Sequence, residues 1–527
     1  MVIRALLKPN TYYDSITLMS VAQAAKDLPG VEDIGAVMAT EVNLELLLNA
    51  TLMPIAFLAE QQAPPGSEDL LIVVRAIDEA HAQAALAVAE ERLTSRGDRG
   101  NLSTGEMLPA RSLEMALKRD EAANLAVISV TGEHAGLEAE QALRNGMHVF
   151  LFSDNVPVEQ EKRLKALAIS KGLLLMGPDC GTAIINGIGL GFSNVVSRGS
   201  IGIVGASGTG MQQLICLIAA AGMGISQAIG TGGRDLSEAI GGVMMRRGLE
   251  LLAGDEQTEV IILVSKPPAE RVAREILAAA QIMKPVVVVF LGADPERFAS
   301  VAGNAHMART LTGGAELAVS LAGGDRRRIP GKDALYKYDL PKERAKLASS
   351  QRYIRALYSG GTLCDEAMLL LSERLGPIAS NIPLRPEWTL AVGETFRGHT
   401  ALDLGSDEFT RGRPHPMIDP TISLQYLASA ADDPQTAVIL LDIVLGFCAQ
   451  QNPASVYSPA IIQAREKAKV AGRSLPVIIS LCGTEGDPQR LSMQRTALEA
   501  AGAMVYESNE MAARAAALLV SDSIHQA

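Results

Sequence analysis

The sequence predicts a multidomain α/β protein made of a small α+β domain, a parallel-sheet unit and two duplicated doubly wound modules. Three observations carry this reading. The chain has 527 residues, room for about three to four domains at roughly 150 residues each. From Asn124 onward, short apolar runs alternate with helix-length stretches, the rhythm of a parallel sheet covered on both faces. Finally, a set of landmarks in the middle of the chain recurs in the same order towards its end.

In chain order, residues 2–8 and 70–76 read as strands. Between them come a helix-like Asp14–Leu28 and a strand at Val31–Met38, and a helix-like Glu79–Leu93 follows. This gives a small α+β domain over residues 1–100, with the polar, Gly-containing Ser95–Thr104 as a linker. In 101–198 the strands are Leu125–Val130, Val149–Phe152 and Leu173–Met176, separated by helices at Glu133–Arg144 and Val158–Ser170. The turn-rich Gly177-Pro178-Asp179-Cys180-Gly181-Thr182 closes this unit.

The repeat sets the remaining boundaries. Ile201–Thr209 is a strand entering a glycine turn and a helix, and Ile354–Thr362 has the same form. Asp255–Ile262 is echoed by Asp433–Leu440, and Lys284–Val288 by Leu475–Ile479. The offset grows from 153 residues at Thr209/Thr362 to 178 at Thr258/Thr436 and 191 at Pro285/Pro476, so the second copy carries loop insertions. The modules are therefore 199–325 and 351–527, joined by a charged connector over 326–350.

Composition narrows the function. Lys+Arg total 47 against 59 Asp+Glu, a net charge of −12, and aromatics are only 4%. Nucleic-acid binding needs clustered basic residues and stacking rings, so no nucleic-acid partner is expected. No apolar run reaches the roughly 20 residues that span a bilayer, and the N-terminus lacks a signal-peptide core. The expectation is a cytoplasmic protein with no membrane association. Cys180, Cys216, Cys364, Cys448 and Cys482 are scattered without a CxxC pair, so neither a disulfide framework nor a transition-metal site is expected.

Glycine turns at the carboxyl ends of parallel strands let backbone N–H groups and a helix N-terminus face an anion. Ser207, Gly208 and Thr209 fit that role after the strand ending at Val204, and Gly361 with Thr362 repeats it. Neither turn is a Walker A loop or a GxGxxG fingerprint, and a purely structural turn stays open. Gly232, Gly233 and Arg234 follow the next strand. Arg234 has two readings: a fork on a carboxylate or phosphate, or a brace to Asp235. The proline-stiffened Arg411–Pro420 segment displays Arg413, His415 and Asp419, mixed charge suited to a small-anion site. His415 reads as an acid–base group or a hydrogen-bonded loop residue, and Asp442, at a strand end, as a catalytic acid or a cap.

These residues resemble a known family. Residues 123–322 are similar to the α subunit of succinyl-CoA synthetase at Ser153–Pro157, Gly177–Cys180, Val204–Thr209, Gly230–Asp235 and Asp255–Glu259. Residues 350–520 resemble the carboxyl-terminal ligase domain of the β subunit at Leu402–Gly405, Asp442–Phe447 and Gly483-Thr484. The fusion behind a small N-terminal domain resembles the FdrA group of acyl-CoA synthetase-like proteins, as do Lys8–Tyr12, Met38–Glu41 and Gly412–Pro420.

The resemblance implies a ferredoxin-like α+β domain, a Rossmann-like CoA-binding unit and two flavodoxin-like succinyl-CoA-ligase domains. It implies CoA as a ligand near Ser153, Asn155, Pro178 and Asp179, and a homo-oligomer or a hetero-oligomer with other subunits. The synthetases phosphorylate a histidine in a Gly-His-Ala-Gly-Ala loop, and here the nearest stretch is Gly303–Ala308 with His306 displaced. Their supporting glutamate is matched by Ser265-Lys266-Pro267-Pro268. An ATP-grasp domain has no counterpart, so ATP would enter only through a partner. A glycine-rich CoA fingerprint is absent from the first 120 residues. Two functional classes follow: a ligase or carbamoyltransferase acting on a small anionic substrate, linked to oxamate and carbamoyl phosphate in purine or allantoin breakdown, or a non-catalytic phosphate-ligand-binding subunit.

Overall fold

Strands rich in Val, Ile and Leu form the framework, and the stretches between them form its helices. The computed structural model describes residues 1–13, 15–40, 43–44, 47–48, 52–53, 57, 65–97, 110, 112–391, 394–411 and 413–521. The chain forms two compact units, Met1–Met147 with Asp407–Pro414, and His148–Ser406 with His415–Ala527. No described helix is long and apolar enough to cross a membrane.

The first unit opens with β1 (Val2–Lys8), α1 (Ser15–Lys26), β2 (Val31–Met38), β3 (Leu70–Ala76) and α2 (Glu79–Gly97). β3 lies central in an antiparallel β1-β3-β2 sheet because it is the most apolar of the three, with Leu70–Val74 fully buried. Leu70, Ile72 and Val74 face one side with Leu18, Val21, Ala82, Ala85 and Ala89, while Leu71 and Val73 face the other, the period of two of a strand. Of the expected linker Ser95–Thr104, α2 covers the start, and residues 98–104 lie outside the described residues, as do Asp14, Glu41 and Gly412. α3 (Leu113–Arg119), β4 (Leu125–Ile128) and α4 (Gly132–Arg144) follow.

The second unit opens with β5 (His148–Leu151), α5 (Val158–Ser170) and β6 (Leu175–Met176), β5 and β6 pairing in parallel. Next comes an unanticipated hairpin, β7 (Thr182–Ile185) and β8 (Ile188–Gly191). Its turn is Asn186-Gly187 at φ 52° and 82°, and Asn-Gly between apolar runs is the sequence signal for such a two-residue turn.

The first module then runs β9 (Arg198–Ala206), α6 (Gly208–Ala220), β10 (Ile225–Gly230), α7 (Val243–Gly254), β11 (Val260–Ser265), α8 (Glu270–Ala279), β12 (Val286–Phe290), α9 (Pro295–Ala302), β13 (His306–Met307) and α10 (Leu311–Leu321). Its sheet order is β13-β12-β11-β9-β10-β7-β8. The second module runs β14 (Tyr353–Tyr358), α11 (Gly361–Leu375), β15 (Ile378–Ser380), β16 (His399–Asp403), α12 (Thr421–Asp432), β17 (Thr436–Val444), α13 (Pro453–Val470), β18 (Val477–Cys482), α14 (Leu491–Ala500), β19 (Met504–Tyr506) and α15 (Asn509–Val520). Its order is β15-β16-β14-β17-β18-β19. With the β7–β8 hairpin and the edge strand β15 set aside, both sheets have the flavodoxin-like order 2-1-3-4-5. All nine residues of β17 are buried, as a strand covered on both faces requires.

One hydrophobic core runs through both modules, from Ile203 and Leu214 to Leu363, Leu440 and Ile478. The connector is anchored to the second module: the Tyr338 hydroxyl donates to Glu499 at 2.7 Å and accepts from Val505 N–H at 2.9 Å.

Candidate functional site

In a 2-1-3-4-5 sheet, connections diverge between strands 1 and 3, which leaves a crevice at their carboxyl ends. In the first module these strands are β9 and β11, and in the second β14 and β17. The loop Ser207–Gly210 leaves β9 and the loop Ser359–Thr362 leaves β14, so the repeated glycine turns occupy equivalent crevices.

The structure brings these turns together. Ser207 caps α6, its Oγ accepting from Gly210 N–H at 3.1 Å, and the same hydroxyl donates to Thr362 Oγ1 at 2.8 Å. A Cβ on Gly360 would lie 2.7 Å from Thr209 Oγ1, and one on Gly210 would lie 2.9 Å from Thr362 Cγ2. The first turns of α6 and α11 thus touch, and glycine at 210 and 360 is what permits the approach. First-turn N–H groups have no intrahelical acceptor, and each helix start carries roughly half a positive charge.

Asp442 belongs to this site. Its carboxylate accepts from Ser359 N–H at 2.6 Å, Ser359 Oγ at 2.9 Å and Gly360 N–H at 2.8 Å. Burial raises its pKa to about 7 against those three donors. Asp442 is therefore a cap for the second loop. Asp365, one turn into α11, is lifted by burial to about 7, with Lys266 opposing the shift.

Lys266, directly after β11, completes the cluster. Its Nζ and Asp403 Oδ2 each lie 2.6 Å from where a Cβ on Gly361 would stand. Burial disfavours its charge, but Asp403, Asp365 and Asp179 outweigh that and hold its pKa above the ordinary lysine value. Sequence reasoning did not select Lys266, Asp365 or Asp403 as site residues. The available signal was a lone lysine before two prolines at a buried strand end.

The other expected residues are placed as follows. Arg234 donates to Glu161 at 3.0 Å and to Val156 O at 2.7 Å. Glu161 also meets Lys165 at 2.9 Å, and Lys165 reaches Asp235 at 2.7 Å, a buried brace. The guanidinium of Arg234 is thus engaged within that brace. Gly232 has φ 87°, and a Cβ there would strike Pro178 O at 2.3 Å; Gly233 faces Asp179. Ser153 is buried and Asn155 exposed at φ 54°. His415 Nδ1 accepts from Met417 N–H at 3.3 Å, which places its proton on Nε2, near Gly405. Burial lowers its pKa to about 4, so it is neutral at pH 7. Asp419 precedes α12 and accepts from Thr421 N–H at 3.0 Å. Arg413 is exposed and belongs to the first compact unit. His306 is exposed at the start of β13, an edge strand with β12 and β11 between it and β9.

Two opposed helix starts at the switch points of paired flavodoxin-like sheets define a CoA-ligase-type α/β protein. Family models agree: one described as a CoA binding domain matches residues 196–292, and one described as CoA-ligase matches 357–519. The uncharacterized protein YahF of Escherichia coli (strain K12) is 44% identical over 512 residues, covering 97% of each chain. This chain belongs to the YahF family. The mitochondrial succinate–CoA ligase (ADP-forming) subunit alpha-2 of Trichomonas vaginalis is 29% identical over 192 residues, 35% of this chain and 60% of that subunit. Among solved structures, the dinucleotide forming acetyl-coenzyme A synthetase 1 of Ca. Korarchaeum cryptofilum matches with TM-score 0.34 and 16% identity, over 79% of this chain and 87% of that one.

A third model, described as AllF, heavy metal-associated domain, matches residues 1–107. Those residues contain no cysteine, and His81 is their only histidine, with Nδ1 2.6 Å from Asp78. The thiolate donors such a metal prefers are lacking. Among the described residues no group of three His, Cys, Asp or Glu side chains is arranged to hold a metal ion. The residues do not fit that group.

Proposed function

We propose that this chain is an FdrA-type acyl-CoA synthetase-like protein that acts on an acyl or carbamoyl phosphate together with CoA or a small carboxylate. The observation that carries the reading is the contact of the two glycine turns, with Ser207 Oγ bonded to Thr362 Oγ1 at 2.8 Å. Two helix starts aimed at one point favour an anion there, and fixed N–H dipoles stabilise charge without reorganising during reaction. A nucleophile, the CoA thiolate or a substrate nitrogen whose N–H proton passes to the departing phosphate, attacks the acyl carbon. The carbon–oxygen bond to phosphate breaks, and inorganic phosphate leaves. Positioning both reactants accounts for the rate gain without a resident nucleotide-binding domain.

The second reading, a subunit of an oxamate carbamoyltransferase-type complex, is favoured by the placement of His306 on an exposed edge strand. Carbamoyl phosphate arrives already activated, so no histidine at the loops is needed. On either reading the active form is an oligomer, and ATP acts only through a partner.

Thermal melting with CoA, ATP, carbamoyl phosphate and oxamate tests the reading. A ligand at 100 times its Kd stabilises by about 2.7 kcal/mol, and carbamoyl phosphate or CoA is expected to do so. The absence of a shift with any of the four, each at several millimolar, would sink it.

A further inference from the structure

Two groups at the meeting of the glycine turns make no hydrogen bond among the described residues. The first is Lys266. Among the described residues its ammonium makes no hydrogen bond and has no carboxylate within ion-pair distance, although Asp403, Asp365 and Asp179 face it. The second is the Thr182 hydroxyl, 1% exposed and without a partner, 3.8 Å from where a Cβ on Gly208 would stand.

Two carboxyl groups around the loops have hydrogen-bond partners of their own. Asp403 Oδ1 accepts from Gly405 N–H at 3.0 Å, and Asp442 caps Ser359 and Gly360. The three carboxyl groups keep Lys266 charged, but among the described residues its largely buried ammonium donates no hydrogen bond, and unmade donor bonds are costly. A largely buried hydroxyl without an acceptor is likewise costly until something bonds it. Both costs are removed by one anion at the junction of the loops. A phosphoryl group suits this better than a planar carboxylate. It offers three terminal oxygens, and the donors here come from three directions: the ammonium after β11, the hydroxyl on β7 and the first-turn N–H groups of α6 and α11.

We propose that Lys266 is the phosphate ligand of this site, its ammonium and the Thr182 hydroxyl binding the phosphoryl group of the substrate directly between the loops. This rests on the reading that the loops bind an anion. It moves the cationic role from Arg234 and Arg413 to the strand end where the synthetases carry a glutamate, and it accounts for Gly361. Any larger residue there would meet Lys266 Nζ and Asp403 at 2.6 Å.

The test is calorimetric titration of the full chain with carbamoyl phosphate and with inorganic phosphate. Lys266→Met is expected to weaken both by about 30-fold, and Lys266→Arg by about fivefold or less, since a charged hydrogen bond is lost in one and kept in the other. Thr182→Val is expected to weaken both by about tenfold while its melting temperature holds or rises, because the hydroxyl is unsatisfied without ligand. If Lys266→Met binds within threefold of the parent, the lysine assignment is wrong. When Ser207→Ala/Thr209→Ala loses binding in the same series, the loop reading survives that failure. If the parent chain binds neither phosphate, the loop reading itself falls. Should Lys266→Met lose its circular dichroism spectrum, Thr182→Val decides, and an unchanged affinity in that variant overturns the proposal.

Discussion

The two glycine turns share a strand order, a crevice and a helix start, yet they are completed differently. The second is closed from within: Asp442 on β17 takes the N–H groups of Ser359 and Gly360. The first has only its own Ser207 hydroxyl as a cap, bonded to Gly210. On its side the crevice carries Lys266, directly after the third strand and two residues beyond the position equivalent to Asp442. A duplicated fold thus yields one loop capped by a carboxyl group from its third strand and one capped by its own serine. The difference lies in one position of the third strand, where register sets Asp442 in one copy against the apolar Val264 in the other.

The largest expected break in this comparison comes from pH. Asp365, Glu366 and Asp442, all in the second module, have pKa values raised by burial to about 7. Each binds its proton more tightly folded than unfolded, so its contribution favours folding below the ordinary carboxylate range and is lost as pH climbs to about 7. Unfolding free energy by urea titration is expected to be clearly higher at pH 5.5 than at pH 8. Equal stability at both would show that these carboxyls are ionised throughout.

Asp442→Ala comes next. It leaves two buried N–H groups unpaired and is expected to cost about 3 kcal/mol. Added formate should restore part of that loss, because the vacated position now resembles the first loop. A destabilised variant indifferent to formate would mean that Asp442 is not standing in for an anion.

The smallest effect separates the glycines. Gly361→Ala drives a Cβ to 2.6 Å from Lys266 Nζ and Asp403 Oδ2, whereas Gly208→Ala meets only Thr182 Oγ1 at 3.8 Å. The first substitution is expected to cost about 2 kcal/mol as overpacking. The second should be near neutral, because alanine suits a first helical turn. Similar denaturation midpoints for the two would erase the asymmetry.

Much of the fold was legible before the structure. The strands at Val31–Met38 and residues 70–76 and the helix at Val158–Ser170 are observed elements, and the paired landmarks hold equivalent positions, Thr209/Thr362 in first helical turns and Pro285/Pro476 directly before strands. The β7–β8 hairpin was missed although Asn186-Gly187 announces it, because the stretch after Thr182 was given no element. The site was legible only in part. Ser207, Thr209, Gly361 and Thr362 sit where glycine turns after buried strands should put them. Arg234 could be read as a ligand or a brace, since one spacing serves both, and its partner Glu161 lies 73 residues away in sequence. Lys266, Asp365 and Asp403 come from three separate stretches that no local pattern links.

By itself, the sequence determined the periodicities, the duplication, the acidic surface and the glycine turns, because these follow from neighbouring residues and backbone preference. It also determined that residues 1–107 lack thiolates for a soft metal. Only the tertiary structure decided that the two turns face each other, that Asp442 closes one of them and that Lys266 comes to stand beside them. Those outcomes depend on which strand ends meet when two sheets are covered by shared helices, and contacts between residues 155 apart, such as Ser207 and Thr362, exist only after the chain has folded.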